Sequence, residues 1–194
     1  MITISEAVDR LLAGEVVLVP TETVYGMAAD AQNPLAVQRL LTLKGARGNK
    51  PLPVQVPDLQ RAQMVGEFNA DAIWLAERGW PGPLTLVVPA TVRLAPAVLA
   101  GGSSVGLRCP SHPIMLEILR AFNGPLAVPS ANRSGAPPPH SSSEASSAFN
   151  GHLPFVEGGN SSGRPSTVIQ VGPPAVLLRE GPHDALLATL PSAT

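Results

Sequence analysis

The sequence is poor in cysteine, in aromatic residues and in charge. Cys109 is the single cysteine among 194 residues, so no internal disulfide can form, and a zinc site built on several cysteines is disfavoured. Charged residues make up 14% of the chain and the formal net charge is -1, which argues against the global basic field of a nonspecific nucleic-acid binder. Anion recognition in this protein must therefore be local.

Long hydrophobic runs are also missing. No apolar stretch approaches the roughly 20 residues that are needed to span a bilayer. The first residues, MITISEAVDR, lack the basic start and the apolar run of a secretory signal. We therefore expect a cytoplasmic protein that makes no membrane contact.

Proline is abundant, with 22 residues, and 18 glycines accompany it. Such a composition can indicate disorder, but most of the prolines lie at the borders of apolar runs, where they end strands or begin helices. The hydrophobic content of 44% is enough for one substantial core, and we predict a single domain over residues 1–194. Only SGAPPPHSSSEASS, residues 134–147, has the composition of a flexible or lid-like surface segment.

Local patterns predict helices mixed with short strands. Thr3 and Glu6 form a capping-box pattern that begins a helix ending near Gly14. Further helices are predicted over 34–44, 58–65, 70–78 and 111–122, and from residue 141 or 142. Short apolar runs predict strands at 15–20, 52–56, 84–89, 104–110, 125–130, 153–157, 166–171 and 175–180. This order of elements favours the α/β (α+β) class, with a mixed, twisted β-sheet of about seven strands and flanking helices.

The densest cluster of positive charge is the loop LKGARGNKPL, which follows the second predicted helix. It contains the only two lysines of the chain, Lys44 and Lys50, with Arg47 between them. Mobile cations and the N–H groups of glycine-rich backbone can together surround a polyphosphate. A solvated connector between two elements is the alternative interpretation, because exposed loops are commonly charged.

A second polar segment, VPSANRSG, follows another predicted strand and carries Ser130, Asn132 and Ser134. Strand ends in mixed sheets commonly hold ligands, because the loops there carry polar groups on a rigid support. The alternative is an Asx or Ser turn that only closes the loop. PTETVYG, which follows the first predicted strand, poses the same question with two hydroxyls, a carboxylate and a phenol.

Better-known phosphate and catalytic motifs are incomplete. GGSSVG has the glycine spacing of a P-loop, but Leu107 and Arg108 replace the Lys-Ser/Thr pair that such a loop requires. No G-x-G-x-x-G opens a helix, so a Rossmann dehydrogenase is disfavoured. Ser161 lies in a G-x-S-x-G pattern, but Pro165 and a β-rich run follow it where a serine hydrolase has a helix. The four histidines show no metal-ligand spacing.

These stretches, in this order, resemble the family of YrdC/Sua5-type threonylcarbamoyl-AMP synthases. The matching pieces are VPTETVYGMAADA, KGARGNKPLPV, WPGPLTLVV, SVGLRCPSHP, GPLAVPSANRSG, STVIQV and LLREG, and they extend from about residue 16 to residue 182. The chain resembles the short form of the family, which has only a YrdC domain. The resemblance implies a YrdC-like fold with a central ligand cleft.

The resemblance also implies a reaction in which L-threonine, bicarbonate and ATP give threonylcarbamoyl-AMP and pyrophosphate. The product would pass to the transferase complex of a tRNA modification pathway, which makes threonylcarbamoyladenosine next to the anticodon. Mg2+ would arrive with ATP, since the sequence shows no dedicated carboxylate cage. A weak contact with RNA is a further expectation.

The family pattern assigns site residues as well. Thr23 would bind the amino acid, with Tyr25 walling the pocket and Glu22 nearby for polar or metal contacts. Arg108 would pair with the threonine carboxylate, because a guanidinium matches a carboxylate bidentately. The Val128 backbone and Ser166 complete the threonine positions. The nucleotide positions are Lys44, Arg47, Lys50, Ser104, Ser130, Asn132 and Arg179. Lys44 and Arg47 are the catalytic pair, and no residue is assigned to a metal.

Three positions depart from the family pattern. Arg47 lies one residue later than the usual Lys-x-Arg spacing, while Gln55 replaces a histidine near threonine and Pro138 replaces a serine near ATP, so those last two contacts are not carried over. Lys44 is expected to be exposed in the cleft, so that Lys44→Ala would lower turnover and leave the fold intact.

Two alternatives to the synthase stay open. One is an RNA-binding module, which the net charge of -1 and the single basic cluster oppose, and the other is a same-fold paralogue with diverged activity.

Overall fold

The computed structural model describes residues 1–45 and 49–191, so Arg47 lies outside the described residues. The helices are α1 (Ile4–Leu12), α2 (Pro34–Lys44), α3 (Leu59–Val65), α4 (Ala70–Gly79), α5 (Pro96–Leu99), α6 (Pro113–Phe122), α7 (Ser142–Ala148) and α8 (Ala185–Ala188). The strands are β1 (Val17–Val19), β2 (Gly26–Asp30), β3 (Val54–Gln55), β4 (Leu84–Pro89), β5 (Ser104–Arg108), β6 (Leu126–Ala127), β7 (Thr167–Gln170) and β8 (Val176–Arg179).

The strands belong to one sheet, in the order β1-β2-β6-β3-β5-β4-β7-β8. β3 pairs with β5, and β4 with β7, in parallel, whereas the other neighbouring strands are antiparallel. The predicted mixed sheet with flanking helices is confirmed. The described residues contribute eight strands to it, where the sequence predicted about seven.

Two segments differ from the sequence-based expectation. GMAAD forms β2, although glycine and alanine have low strand propensity; pairing with β1 on one side and β6 on the other overrides that preference. The strand predicted at 153–157 is wrong. Within that segment Phe155 makes only an isolated bridge to Leu18, and Pro154 has no N–H to donate to a ladder.

Local signals place the helix starts correctly. Thr3 Oγ1 accepts the N–H of Glu6 at 3.2 Å while Oε2 of Glu6 accepts the N–H of Thr3 at 2.8 Å, which is the predicted capping box. The other predicted helices are present as α2, α3, α4, α6 and α7. The first helix, α1, ends at Leu12 rather than near Gly14. The short helices α5 and α8 were not predicted, since four residues are too few to show a helical period. Among the described residues, no helix combines the length and the apolar character that crossing a membrane requires.

Alternation along the central strands gives the sheet two different faces. Leu84, Leu86 and Leu107 point into the hydrophobic core, where residues of α2 and α4 pack with them. The intervening residues of β4 and β5 line a cleft on the opposite face: Thr85, Val87, Ser104, Gly106 and Arg108. The sheet therefore supports the cleft from below with a rigid, close-packed layer.

Candidate active site

The cleft lies over β3, β5, β4, β7 and β8 and has a volume of about 830 Å³. Ligand pockets of proteins commonly have volumes of this order. The predicted site residues that line it are Thr23, Lys44, Lys50, Ser104, Arg108, Val128, Ser130, Ser166 and Arg179. Residues that are far apart in the sequence thus meet in one depression.

Arg108 is held at the cleft floor by three different groups. Its Nε donates to the carbonyl oxygen of Gly82 at 3.3 Å, and its Nη1 donates to Oγ1 of Thr23 at 3.0 Å. Its Nη2 lies 2.7 Å from Oε1 of Glu22. Arg108 is 6% exposed and Thr23 is 2% exposed, so the guanidinium is fixed before any ligand arrives.

The turn that carries Thr23 is stabilised by its own side chains. Oγ1 of Thr21 lies 3.0 Å from Oγ1 of Thr23 and donates to the carbonyl oxygen of Val24 at 2.6 Å. The backbone oxygens of Glu22 and Thr23 accept from the N–H groups of Ser162 and Gly163, respectively. These bonds explain why PTETVYG follows a strand end: its hydroxyls build a turn that presents Thr23 and Glu22 to Arg108.

Lys44 lines the cleft but is only 7% exposed, so the expectation of an exposed side chain is wrong. Its Nζ donates to the backbone oxygens of Ser130 and Asn132 at 2.7 and 3.0 Å, and to Oδ1 of Asn132 at 3.3 Å. Lys44 therefore ties the end of α2 to the loop that follows β6. The sequence did not indicate this burial, because a lysine at a helix end is usually exposed.

Asn132 does not line the cleft. Its Nδ2 donates to the backbone oxygens of Arg133 and Ala136 at 3.0 and 2.7 Å, while its Oδ1 accepts from Lys44. The side chain thus closes the loop, as the turn interpretation proposed, and through Lys44 it remains connected to the cleft wall. Ser130, two residues earlier, lines the cleft itself.

Ser166 contacts Arg179 and Thr85 at once. Arg179 donates from Nε to the backbone oxygen of Ser166 and from Nη2 to its Oγ, both at 2.9 Å. Oγ of Ser166 lies 2.9 Å from Oγ1 of Thr85. Partial burial, followed by the positive charge of Arg108, lowers the pKa of Arg179. The guanidinium groups of Arg108 and Arg179 thus give one region of the cleft a positive charge, which favours an anionic ligand.

Two cleft residues were missed or left unassigned by sequence reasoning. Thr85 is 5% exposed and lies on the cleft floor; a hydroxyl between Leu84 and Leu86 in an apolar run was the signal that could have indicated it. Gln55 is 3% exposed and lies opposite Arg108 in the parallel pairing of β3 with β5. Its Oε1 is buried without a hydrogen-bond partner among the described residues.

Tyr25 does not line the cleft and is fully buried beside it. Its hydroxyl donates to the backbone oxygen of Gly159 and accepts from the N–H of Gly158, both at 3.1 Å. Burial, and then the negative charge of Glu157, raises the pKa of Tyr25. The structure thus places this phenol in the support of the 157–163 loop and not in the pocket wall.

Tyr25→Phe is therefore expected to lower stability and to leave the cleft surface unchanged. Removing the hydroxyl breaks its two part-buried hydrogen bonds to the backbone of Gly158 and Gly159, at a cost of about 0.5–1.5 kcal/mol for each bond. The melting temperature should fall by about 2–4 °C for each kcal/mol in a chain of this size. Thermal unfolding checks this result. A pocket-wall role for Tyr25 predicts the reverse pattern, with unchanged melting and a loss of threonine binding.

Positive charge dominates the cleft. Lys44, Lys50, Arg108 and Arg179 line it, and the carboxylate of Glu22 lies against Arg108. Within the described residues, no group of three or more histidine, cysteine, aspartate or glutamate side chains is arranged to hold a metal ion. The arrangement can orient anions and stabilise charge that develops on them, while offering few groups for general-base chemistry.

Comparisons with known proteins identify the family of the chain. The Sua5_yciO_yrdC family model, which carries the description "Telomere recombination", matches residues 9–181. Threonylcarbamoyl-AMP synthase of Pyrococcus abyssi is 39% identical over 173 residues, which is 87% of this chain and 51% of the relative. Threonylcarbamoyl-AMP synthase of Bacillus subtilis is 38% identical over 183 residues, which is 92% of this chain and 53% of the relative.

A solved structure shows the same fold. The crystal structure of Pyrococcus abyssi Sua5 complexed with L-threonine has a TM-score of 0.88 and 37% identity, over 92% of this chain and 54% of that one. The chain spans about half the length of these relatives. On the family match over most of its residues and on identities above one third, the chain belongs to the Sua5/YciO/YrdC family.

Proposed function

We propose that the protein is an L-threonylcarbamoyladenylate synthase, a nucleotidyltransferase that makes threonylcarbamoyl-AMP and pyrophosphate from L-threonine, bicarbonate and ATP. One observation carries the proposal: Arg108 is buried and anchored beside Thr23 at the floor of a cleft whose other walls carry Lys44, Lys50 and Arg179. An amino-acid carboxylate and a nucleotide polyphosphate are both anions, and such a cleft can receive the two together.

The two substrates would occupy different ends of the cleft. We assign threonine to the end formed by Thr23, Arg108, Val128 and Ser166. ATP is assigned to the end with Lys50, Ser104 and Ser130, where Lys44 fixes the loop that carries Ser130. Arg179 lies at the threonine end, because it bonds Ser166 and is close enough to Arg108 for their charges to interact, and we propose that it reaches the nucleotide from there. Arg47, which lies outside the described residues, stays a predicted nucleotide contact.

The reaction needs no covalent enzyme intermediate. The amine of threonine captures carbon dioxide or bicarbonate to form a carbamate; a proton is released to solvent when carbon dioxide reacts, and water is released when bicarbonate reacts. A carbamate oxygen then attacks the α-phosphorus of ATP, and the bond to the leaving pyrophosphate breaks. The chain contributes orientation of the reactants and fixed positive charge. Arg108 and Thr23 hold the amino acid, while the lysines and Arg179 stabilise the negative charge on the phosphates.

We further propose that Mg2+ enters with ATP as part of the nucleotide substrate. The described residues do not supply a carboxylate cage for a resident ion, and the carboxylate of Glu22 is held by Arg108. Magnesium in nucleotide sites commonly keeps waters and phosphate oxygens as most of its ligands. When bound, it would offset the charge of the leaving pyrophosphate.

The product suggests the biological setting. A threonylcarbamoyl adenylate is an activated acyl donor, so we propose that a transferase complex of tRNA modification receives it and that both act in the cytoplasm. A weak contact of this chain with RNA stays part of the proposal. A same-fold paralogue with another amino-acid substrate is the second candidate, and the unpartnered Oε1 of Gln55 on the cleft floor favours it.

Pyrophosphate release tests the proposal. The purified protein is incubated with ATP, magnesium and bicarbonate, and release is compared for L-threonine, L-serine and no amino acid. Release that depends on L-threonine supports the synthase. Release that depends on L-serine alone favours the paralogue, and a folded protein that binds ATP yet releases nothing with any amino acid contradicts the proposed activity.

Substitution of Gly106 is expected to close the cleft without unfolding the protein. A Cβ at this position would lie 3.2 Å from Cγ2 of Thr85 and 3.9 Å from Cγ2 of Val87, which asks for only a small shift. Gly106→Leu would place its larger side chain over the floor, and threonine-dependent release should fall at least about tenfold. Gly106→Ala is the matched small step and should lose less. Equal activity of both variants with the wild type would remove this face from the site.

A further inference from the structure

The carboxylate of Glu22 is buried against Arg108 without an aligned hydrogen bond. Oε1 of Glu22 lies 2.7 Å from Nη2 of Arg108, and the two side chains are 20% and 8% exposed. Both oxygens of Glu22 and Nη2 of Arg108 nevertheless have no hydrogen-bond partner among the described residues. Buried charged groups that lack hydrogen bonds are costly, so this pair is unusual; Arg108 lines the cleft, and Glu22 is connected to the cleft through Arg108.

Hydrogen bonds to neighbouring residues hold both members of the pair in place. The carbonyl oxygen of Glu22 accepts the N–H of Ser162 at 3.0 Å, which anchors the turn at this residue. Arg108 is anchored through Nε to Gly82 and through Nη1 to Thr23. These bonds keep the carboxylate of Glu22 next to the guanidinium of Arg108. No described side chain donates a hydrogen bond to the oxygens of Glu22.

We propose that Glu22 binds the α-ammonium group of the amino-acid substrate while Arg108 binds its carboxylate. This inference rests on the proposed function. An α-amino acid is a zwitterion, so its two charged groups match the two members of the pair. An ammonium group has three N–H donors and a carboxylate accepts several hydrogen bonds, which supplies the partners that Glu22 and Arg108 lack.

Substrate entry then parts the pair. The oxygens of Glu22 are closed to solvent in this state, so the amino acid replaces the contact between Glu22 and Arg108 with one contact to each of them. The exchange does not break an aligned hydrogen bond between the two side chains. It also fixes the nitrogen that becomes the carbamate, which makes Glu22 a specificity-determining residue for amino acids over simple hydroxy acids.

The test compares L-threonine with its analogue that lacks the amino group, (R)-β-hydroxybutyrate, by isothermal titration calorimetry. The wild type should bind L-threonine at least about tenfold more tightly than the analogue, since a charged hydrogen bond is at stake. Glu22→Gln keeps the shape and removes the charge. In this variant the ratio of the affinity for L-threonine to the affinity for the analogue should fall close to one. The affinity for the analogue itself should be kept or raised. Glu67→Gln removes the same charge from an exposed position outside the cleft and should keep the wild-type preference.

Three results would overturn the inference. A preference that survives in a folded Glu22→Gln protein removes the ammonium contact, and equal weakening of both ligands means that Glu22 only positions Arg108. Equal affinities of the wild type for the two ligands overturn it without any variant, should Glu22→Gln fail to fold. Failure of the proposed function is recognised separately, because the wild type would then bind no L-threonine at all.

Discussion

Arg108→Lys is expected to raise the KM for L-threonine by about 10–150-fold and to change the KM for ATP little, on the basis of one lost charged hydrogen bond at about 1.5–3 kcal/mol. The guanidinium of Arg108 contacts Gly82, Thr23 and Glu22 at once. A lysine keeps the positive charge but has a single nitrogen, so it cannot hold this anchorage and also present a flat, two-pronged face to a carboxylate.

The measurement is steady-state pyrophosphate release with each substrate varied in turn. Arg120→Lys, an exposed position on α6, is the matched control and should behave as the wild type. Melting temperatures of both variants separate a binding effect from unfolding, because Arg108 is buried and its loss also affects the turn that carries Thr23. An unchanged KM for threonine in a folded Arg108→Lys protein would contradict the carboxylate assignment.

Lys44→Met is expected to reduce turnover by about 100-fold or more and, in addition, to destabilise the protein. The Nζ of Lys44 bonds the backbone oxygens of Ser130 and Asn132 and the Oδ1 of Asn132. Methionine fills a similar volume without a donor, so buried oxygens lose their partner at a cost of about 1–3 kcal/mol. The melting temperature should fall by about 2–4 °C per kcal/mol.

Lys50→Met separates the two roles of the basic loop. Lys50 is exposed at the cleft and is the other lysine of the chain. Its replacement should leave the melting temperature unchanged while weakening ATP binding. If Lys44→Met and Lys50→Met melt at the same temperature as the wild type, the buried network around Lys44 does not contribute to stability as described.

Most of the fold was predictable because its signals are local. Thr3 with Glu6, and Asn33 with Pro34, mark helix starts through bonds that form within a few residues. β2 was not predictable in the same way. Its sequence, GMAAD, carries no strand preference, and the strand exists because β1 and β6 flank it. Tertiary pairing decided that segment.

The site was predictable as a set of residues but not as a set of contacts. The family resemblance brought Thr23, Arg108 and Ser166 together, and the cleft contains all three. The resemblance did not indicate that Lys44 is buried, or that Tyr25 turns away from the cleft towards the backbone at Gly158. Burial and side-chain direction depend on distant segments, and a motif of a few residues does not encode them.

The most direct test of the account is the identity of the nucleotide product. The protein is supplied with ATP, magnesium, isotopically labelled bicarbonate and labelled L-threonine, and the products are analysed by mass spectrometry. We expect an adenylate that carries the label of both bicarbonate and threonine and that forms in step with pyrophosphate. Pyrophosphate with unlabelled AMP alone, or an adenylate that contains the amino acid without the carbon of bicarbonate, would contradict it.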